Sequence, residues 1–367
     1  MLVVFKILCV ALGILLILFT VISVIRTFVL PRSENVWLNR IFWSYIYRLF
    51  LKRVRKATTY EERDRVLAFF APVIVVVQPF VYLALLVVAY TPIYWGLSID
   101  SMEPGHVFGS LYEAFLLSGS SLLTLGYAPV NDLPNMILSF SDAAIGMVIV
   151  ALFIAYVPTI YSAFSQREKQ VAMLEVRAGA PPFGVTMLQR IYRNQGSLQG
   201  LTNLWVRWEE WFVEVEENHT SLTILVFFRS PMADRSWVTA SGAVLDAAAL
   251  FDSCVAGPRV LECVLCIRAG FIALRRIADF FSITYDPDPQ PDDPISISRD
   301  EFDEVWDELV ETGIRLVDDK EEAWRSFVGW RVNYDRVLIG LARLTGAPYA
   351  PWSSDRSLPD MGDQLGS

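Results

Sequence analysis

Apolar positions in the first half of the chain are gathered into three long runs that contain no charged residue. These runs extend from Ile7 to Ile25, from Val66 to Leu97 and from Ala143 to Gln166. An α-helix rises about 1.5 Å per residue and the hydrocarbon core of a bilayer is about 30 Å thick, so roughly 20 apolar residues cross it. The pattern therefore predicts three transmembrane helices, the first of them within residues 1–30.

The second half of the chain repeats apolar positions with the period of α-helices. Segments rich in Gly and Pro separate these stretches, and Ser298 with Glu301 forms a capping box typical of a helix start. Three tryptophans at every third position are expected in a core: Trp205, Trp208 and Trp211. We therefore predict an all-α membrane protein with a helical domain over residues 167–345 and a disordered tail over residues 346–367.

Basic residues are distributed unevenly between the segments that join the apolar runs. Residues 31–65 contain nine Lys and Arg, whereas residues 98–142 contain none and carry five acids. Short loops rich in Lys and Arg stay in the cytoplasm. The N-terminus and residues 98–142 are therefore expected outside a plasma or inner membrane, with the basic linker and the C-terminal domain in the cytoplasm. A cleaved signal peptide, the alternative for the first run, would instead export the basic linker.

The composition agrees with this division and argues against one class of partner. Hydrophobic residues make up 54% of the 367 residues, charged residues 19%, and the mean hydropathy is +0.40, which is too apolar for an ordinary soluble domain. The net charge is -9, because residues 1–165 carry 11 basic and 9 acidic side chains whereas residues 166–367 carry 20 and 31. A domain as acidic as residues 166–367 is not expected to bind nucleic acid, because binding of phosphates needs clustered Lys and Arg.

The chain offers few residues for acid–base catalysis or metal binding. It contains two histidines, His106 and His219, and one C-x-x-C pair, Cys263 and Cys266, without the second pair that a zinc site needs. Cysteine is commonly buried, so this pair is expected on the buried face of a helix. We predict that the protein is not an enzyme and carries no cofactor.

A stretch too short to span a membrane lies between the second and third runs. Residues 107–123 have the pattern of a half-helix, and residues 124–129 (T-L-G-Y-A-P) follow as extended chain. Non-helical backbone at membrane depth is tolerated only where protein buries it or where it lines a water-filled cavity. The pattern predicts a re-entrant pore helix between an outer and an inner span. An interfacial helix followed by an ordinary turn is the alternative.

Residues 124–127 resemble part of a known ion-binding sequence. Thr124, Leu125, Gly126 and Tyr127 are similar to the T-V-G-Y part of the T-V-G-Y-G selectivity filter of potassium channels, which also lies between an outer and an inner span. The resemblance covers residues 66–170 and places a pore module at residues 66–166. The whole chain is also similar to bacterial proteins of the ion channel family that add one N-terminal span and a helical C-terminal domain.

The resemblance implies a tetrameric channel. In such a filter, backbone carbonyls replace the hydration shell of potassium, so the carbonyls of residues 124–127 and the Thr124 hydroxyl would bind K⁺. Leu125 would point away from the pore and Tyr127 would pack behind the filter. One chain supplies one filter strand, so closing the ring needs four chains, which implies a homotetramer with four-fold symmetry.

The chain departs from the family pattern at the outer end of the filter. Ala128 and Pro129 stand where the family usually has Gly and Asp. A left-handed backbone at Ala128 would cost about 1–2 kcal/mol, so the outermost ion site is expected to be altered. Thr124 to Ala128 are thus the predicted filter residues of a potassium-selective channel, and a nonselective cation channel is one alternative. A membrane-anchored interaction or sensor protein without a conducting pore is the other.

Four further residues are candidates for the moving or charged parts of a pore. Gly146, which follows Gly126 by 20 residues, is a candidate hinge, and Pro158 is a candidate gate, although Gly and Pro are also frequent in spans that gate nothing. Asp132 and Asp142 could concentrate cations at an outer mouth by their negative potential. Solvated loop acids are the alternative account of this pair.

The basic linker, residues 31–65, interleaves aromatic with basic side chains. This composition is typical of a helix that lies at the cytoplasmic lipid surface and predicts contact with anionic lipid over residues 40–56. Simple membrane anchoring is the alternative. A voltage sensor needs Arg at every third position of a span, and the linker has no such register. The sequence identifies no regulatory ligand.

Overall fold

The computed structural model describes residues 2–30, 37–97, 111–128, 130 and 132–356. The predictions for residues 98–110, which include His106, and for Pro129 and residues 357–367 lie outside these ranges. The described residues form thirteen α-helices and no strand: α1 Leu2–Phe28, α2 Trp37–Val54, α3 Tyr60–Ala68, α4 Phe70–Leu97, α5 Leu111–Leu122, α6 Leu133–Ala178, α7 Gly184–Gln195, α8 Thr202–Ser221, α9 Trp237–Cys254, α10 Leu261–Phe280, α11 Arg299–Glu311, α12 Lys320–Arg331 and α13 Asp335–Thr345.

Three stretches of helix are long and apolar enough to cross a membrane: Val4–Phe28 in α1, Tyr60–Leu97 across α3 and α4, and Leu133–Ala178 in α6. This finding confirms the all-α class and the three candidate spans. Helix α6 extends beyond the predicted run at both ends, since charged side chains end an apolar run without ending a helix. Two prolines, Pro79 and Pro92, lie inside α4.

The helices divide into two compact units. A span unit comprises residues 1–46 and 72–161, and a C-terminal unit comprises residues 47–71 and 162–367. The division between the two units, between residues 46 and 47, falls within the segment predicted as a basic linker, residues 31–65.

Small and polar side chains bring the helices of the span unit together. A Cβ atom at Gly13 of α1 would lie 2.6 Å from the carbonyl oxygen of Ala89 in α4, so a glycine is what permits this approach. Near the other end of α1 a closed hydrogen-bond network joins α1, α2 and α4. The Tyr82 hydroxyl and the Gln78 amide both donate to Asn39 Oδ1, at 2.7 and 2.9 Å, and Asn39 Nδ2 donates to the Thr27 hydroxyl at 2.9 Å.

The core of the C-terminal unit is built around α9, which is buried along nearly its whole length. Helices α7, α8, α10 and α12 pack against this core, and the three tryptophans of α8 are at most 3% exposed, which confirms their predicted place. The capping box at the start of α11 is also confirmed, because Ser298 and Glu301 each bond the backbone N–H of the other.

A fully buried arginine joins α9, α12, α13 and the chain that follows α13. Arg331 donates to Asp335 Oδ1 at 2.7 Å, to Asp246 Oδ1 at 2.5 Å and to the Trp352 carbonyl at 2.5 Å. Burial disfavours the charged guanidinium, but the charges of Asp246 and Asp335 together raise the pKa of Arg331 above its ordinary value. Residues 346–356, which the sequence assigned to a disordered tail, are thus packed through Trp352, whose ring also contacts Phe183 and lies 4% exposed.

A second buried arginine lies near the end of α6, within the C-terminal unit. Arg167 donates to the carbonyls of Leu225 and Phe228 at 2.8 and 2.6 Å, and its Nη1 lies 3.1 Å from His219 Nε2. The other ring nitrogen, His219 Nδ1, lies 2.7 Å from the Val215 carbonyl and must donate to it. His219 is therefore neutral, with Nε2 as the acceptor of the bond from Arg167.

A third arginine closes the C-terminal unit on α3. Arg229 forms an ion pair with Asp64 and donates to the Tyr60 hydroxyl at 2.8 Å. The same guanidinium donates to the carbonyls of Thr345 and Gly346, each at 2.6 Å. One side chain therefore fastens α3 to the end of α13, and we name this set of contacts the Arg229 clasp.

Candidate functional site

Helix α5 lies between the second and third candidate spans, within the stretch in which the sequence pattern predicted a half-helix. It has 12 residues, carries Glu113 in its first turn, where the helix dipole favours an acid, and ends at Leu122. Its buried face contains three serines together with apolar residues: Ser118, Ser120 and Ser121. Ser118 bonds the Val87 carbonyl of α4 and Asp142 of α6, and Ser121 bonds Ser139 of α6, so α5 is held to its neighbours by hydrogen bonds as well as by apolar packing.

The chain turns sharply where α5 ends. The amide of Leu125 donates to the Ser120 carbonyl at 2.8 Å, and the amide of Ala128 donates to the Ser120 hydroxyl at 3.3 Å. Thr124 and Gly126 both have left-handed backbones, with φ of 53° and 71°. Glycine adopts this conformation without strain, whereas a β-branched residue such as threonine rarely does. Ala128 stays outside the left-handed region.

The side chains of this segment extend outward from the single chain. Leu125 is 58% exposed and Tyr127 is 59% exposed. The packing predicted for Tyr127 behind the filter is therefore not made within one chain. The Thr124 hydroxyl donates to the Leu123 carbonyl at 2.8 Å.

Gly146 of α6 lies directly against the end of α5. A Cβ atom there would lie 2.4 Å from the Leu122 carbonyl oxygen, so only glycine allows this contact. The structure thus gives Gly146 a packing role that the sequence did not predict, beside the proposed role as a hinge. Pro158 lies within α6, which continues as helix through it.

The two acids predicted at an outer mouth have different surroundings. Asp132 is exposed, and its Oδ2 accepts from the backbone N–H of Asn135 at 3.2 Å, as expected of a residue that caps the start of α6. Asp142 is completely buried instead of facing solvent. Its Oδ2 accepts from the Ser118 hydroxyl at 3.2 Å, while Oδ1 has no hydrogen-bond partner among the described residues. The predicted position of Asp142 at a solvated mouth therefore needs correction.

Further hydroxyl contacts fix α5 and α6 and join α6 to α4. Ser121 and Ser139 share a hydrogen bond of 2.8 Å, and Tyr90 and Ser141 share one of 3.1 Å. The sequence pattern did not predict a role for these residues. The sequence signal that could have identified them is the spacing of small hydroxyl residues along two otherwise apolar helices. This spacing predicts a contact only when both helices are already assigned to the same interface.

No cluster of three or more His, Cys, Asp or Glu suited to a metal ion occurs among the described residues. The C-x-x-C pair lies on the buried face of α10, where the Cys263 thiol contacts the Ala248 carbonyl at 3.3 Å. Burial raises the pKa of the Cys266 thiol well above its ordinary value and that of Cys254 to about 12, so these groups stay protonated and unreactive.

A scan against models of known protein families, a search of curated proteins and a search of solved structures each found no match for this chain. Any functional inference therefore depends on the residues themselves and on the arrangement just described.

Proposed function

We propose that the protein forms a tetrameric cation channel, potassium-selective in its simplest form, in which residues 124–127 supply the ion-binding carbonyls. One observation carries the proposal. A 12-residue helix between two candidate spans ends in a short non-helical segment with left-handed backbones at Thr124 and Gly126. A segment of this kind at membrane depth needs a water-filled cavity or a protein partner to satisfy its peptide groups. In a channel, α5 re-enters the membrane and the carbonyl dipoles at its C-terminal end favour a cation.

The outer surface of α6 supports assembly from several copies. Four large apolar side chains at seven-residue spacing are more than half exposed on this helix: Phe140, Met147, Ile154 and Tyr161. A seven-residue repeat is the spacing that packs one helix against another. A homotetramer would cover this stripe with α6 helices of neighbouring chains and would also cover the exposed Leu125 and Tyr127.

The proposed membrane placement follows the basic residues. The N-terminus lies outside a plasma or inner membrane and the C-terminal unit lies in the cytoplasm. Helix α2 then lies at the inner lipid surface, where four exposed apolar side chains at four-residue spacing form a stripe: Trp37, Ile41, Tyr45 and Leu49. Exposed basic residues near this stripe, such as Arg48 and Lys52, suit anionic lipid headgroups.

The decisive experiment is ion flux into proteoliposomes of the purified protein, measured with K⁺ and separately with Na⁺. Gly126→Ala is the test variant and Gly119→Ala is its matched control. A Cβ atom meets no neighbour within 4 Å at either glycine, but only Gly126 has a left-handed backbone. We expect K⁺-preferring flux that Gly126→Ala abolishes and Gly119→Ala preserves.

Other outcomes separate the alternatives. Equal K⁺ and Na⁺ flux that is lost in Gly126→Ala would indicate a nonselective cation channel, a result that the Ala128-Pro129 sequence would explain. Absence of flux in every variant, together with a cross-linked mass well short of four chains, would refute the channel proposal. That result would favour a membrane-anchored interaction or sensor protein.

A further inference from the structure

The C-terminal unit contains an open cleft that none of the features above uses. Its walls are the C-terminal ends of α7 and α9, the chain on either side of residue 257, the segment after α11, and α12. The cleft encloses about 850 Å³. Small-molecule sites usually measure about 300–1,000 Å³, so the cleft can admit a ligand of nucleotide size.

Backbone hydrogen bonds join two loops of the cleft wall, the loop after α9 and the loop after α11. The amide of Ala256 donates to the Arg315 carbonyl, and the amide of Val317 donates to the Cys254 carbonyl, both at 2.9 Å. The pairing fixes the backbone from which Arg315 projects, and Arg259 follows three residues after Ala256. Arg259 and Arg315 both belong to the residues that line the cleft.

The cleft has a charge opposite to that of the domain around it. Residues 166–367 carry 31 acidic and 20 basic side chains, yet the cleft is lined by Arg259, Arg315 and a single acid, Asp252. The Asp252 side chain is 6% exposed and accepts from the Trp330 indole at 3.0 Å. Its Oδ1 also forms an ion pair with Arg259, whose Nε lies 3.5 Å away and whose side chain is 69% exposed. Within the part of the chain that the structure describes, no carboxylate lies within 4 Å of the Arg315 guanidinium, which is thus available to an anion.

Three aromatic residues line the same cleft: Tyr192, Phe251 and Trp330. The hydrogen bond to Asp252 fixes the orientation of the Trp330 indole, and Phe251 packs against the buried ring of Trp205 at 6.0 Å between centroids. Fixed aromatic faces bind planar rings by stacking. Guanidinium groups bind phosphate oxygens by charge-assisted hydrogen bonds.

We propose that this cleft binds a nucleotide, with the base against the aromatic rings and the phosphate at Arg259 and Arg315. A nucleotide carries both groups that this lining can bind, a planar base for the aromatic residues and a compact anionic phosphate for the arginines. This site lies wholly within the C-terminal unit, and its occupancy does not depend on ion conduction.

The test is calorimetric titration of the full-length protein in detergent with AMP, and separately with adenosine and with inorganic phosphate. We expect saturable binding of AMP, with adenosine and phosphate each at least tenfold weaker, because each supplies only one of the two contacts. Arg315→Ala should raise the Kd for AMP at least tenfold. Arg325→Ala is the matched control, since Arg325 is an exposed arginine of α12 that does not line the cleft.

Thermal unfolding of each variant identifies any that fails to fold, and Arg259→Ala provides a second test of the phosphate contact. Absence of saturable AMP binding to the folded wild-type protein would overturn the proposal. So would AMP binding that Arg315→Ala and Arg259→Ala leave unchanged, since the phosphate would then bind elsewhere. Neither result depends on whether the proteoliposomes conduct ions.

Discussion

Replacement of Gly146 by alanine tests the contact between α6 and the end of α5. The new Cβ atom would lie 2.4 Å from the Leu122 carbonyl oxygen and 3.0 Å from Leu122 Cδ1. Real Cβ atoms essentially never approach another heavy atom closer than 3.0 Å, so α5 and α6 must separate by about 0.6 Å. The obstructing atom is backbone, which cannot rotate aside as a side chain can.

We expect this overpacking to lower the free energy of unfolding by about 1–3 kcal/mol. Thermal unfolding in detergent, followed by intrinsic fluorescence, would detect the change. Because Leu122 immediately precedes the segment 123–128, the same shift displaces Thr124 and Gly126. In the proposed channel, the K⁺ preference of the flux should therefore fall together with the stability.

Gly119→Ala again provides the control, because its Cβ atom meets nothing within 4 Å and alanine favours a helix over glycine by up to about 1 kcal/mol. A Gly146→Ala variant as stable as the wild-type protein would refute the packing argument. A stable variant with altered opening but unchanged selectivity would instead support the hinge that the sequence suggested.

Two further predictions concern buried charge in the C-terminal unit. Burial and the neighbouring Arg167 guanidinium hold the pKa of His219 well below its ordinary value, so the unfolded chain binds a proton that the folded chain does not. The stabilisation should be fully present above about pH 6.5 and decline by about 1.4 kcal/mol per pH unit below it. Thermal unfolding across pH would show this slope, and a His219→Gln variant with an equally steep slope would contradict it. Arg331→Met should cost about 3–5 kcal/mol, because it leaves Asp246 and Asp335 buried without their cation. The exposed Arg325→Met should cost little, and equal melting temperatures for the two variants would contradict the prediction.

The apolar runs predicted the spans because burial in lipid imposes a simple length and composition on a helix. The apolar runs did not predict where the helices end, since α6 begins before Ala143 and continues past Gln166 to Ala178. A charged residue marks the end of the apolar environment, whereas the end of a helix is defined by its last intrahelical backbone hydrogen bonds.

Contacts between distant segments were the part that the sequence could not predict. Asp142 has the same local pattern as a loop acid, and its burial against Ser118 depends on how α5 and α6 pack. The chain around Trp352 is likewise rich in turn-forming residues, and its order depends on the guanidinium of Arg331. A sequence pattern assigns each residue to its own helix or loop, whereas these contacts form between two elements that are distant in the chain.

The Arg229 clasp sets a late step in the biosynthesis of the chain. Tyr60 and Gly346 are separated by 286 positions, and ribosomes add about 5–20 residues per second, so roughly 15–60 s elapse between the synthesis of the two ends. During that interval α3 has left the ribosome without its partner at the end of α13. The Arg229 clasp can therefore close only after Thr345 and Gly346 have been made, and a truncation before Thr345 leaves Arg229 without the two carbonyls to which it donates.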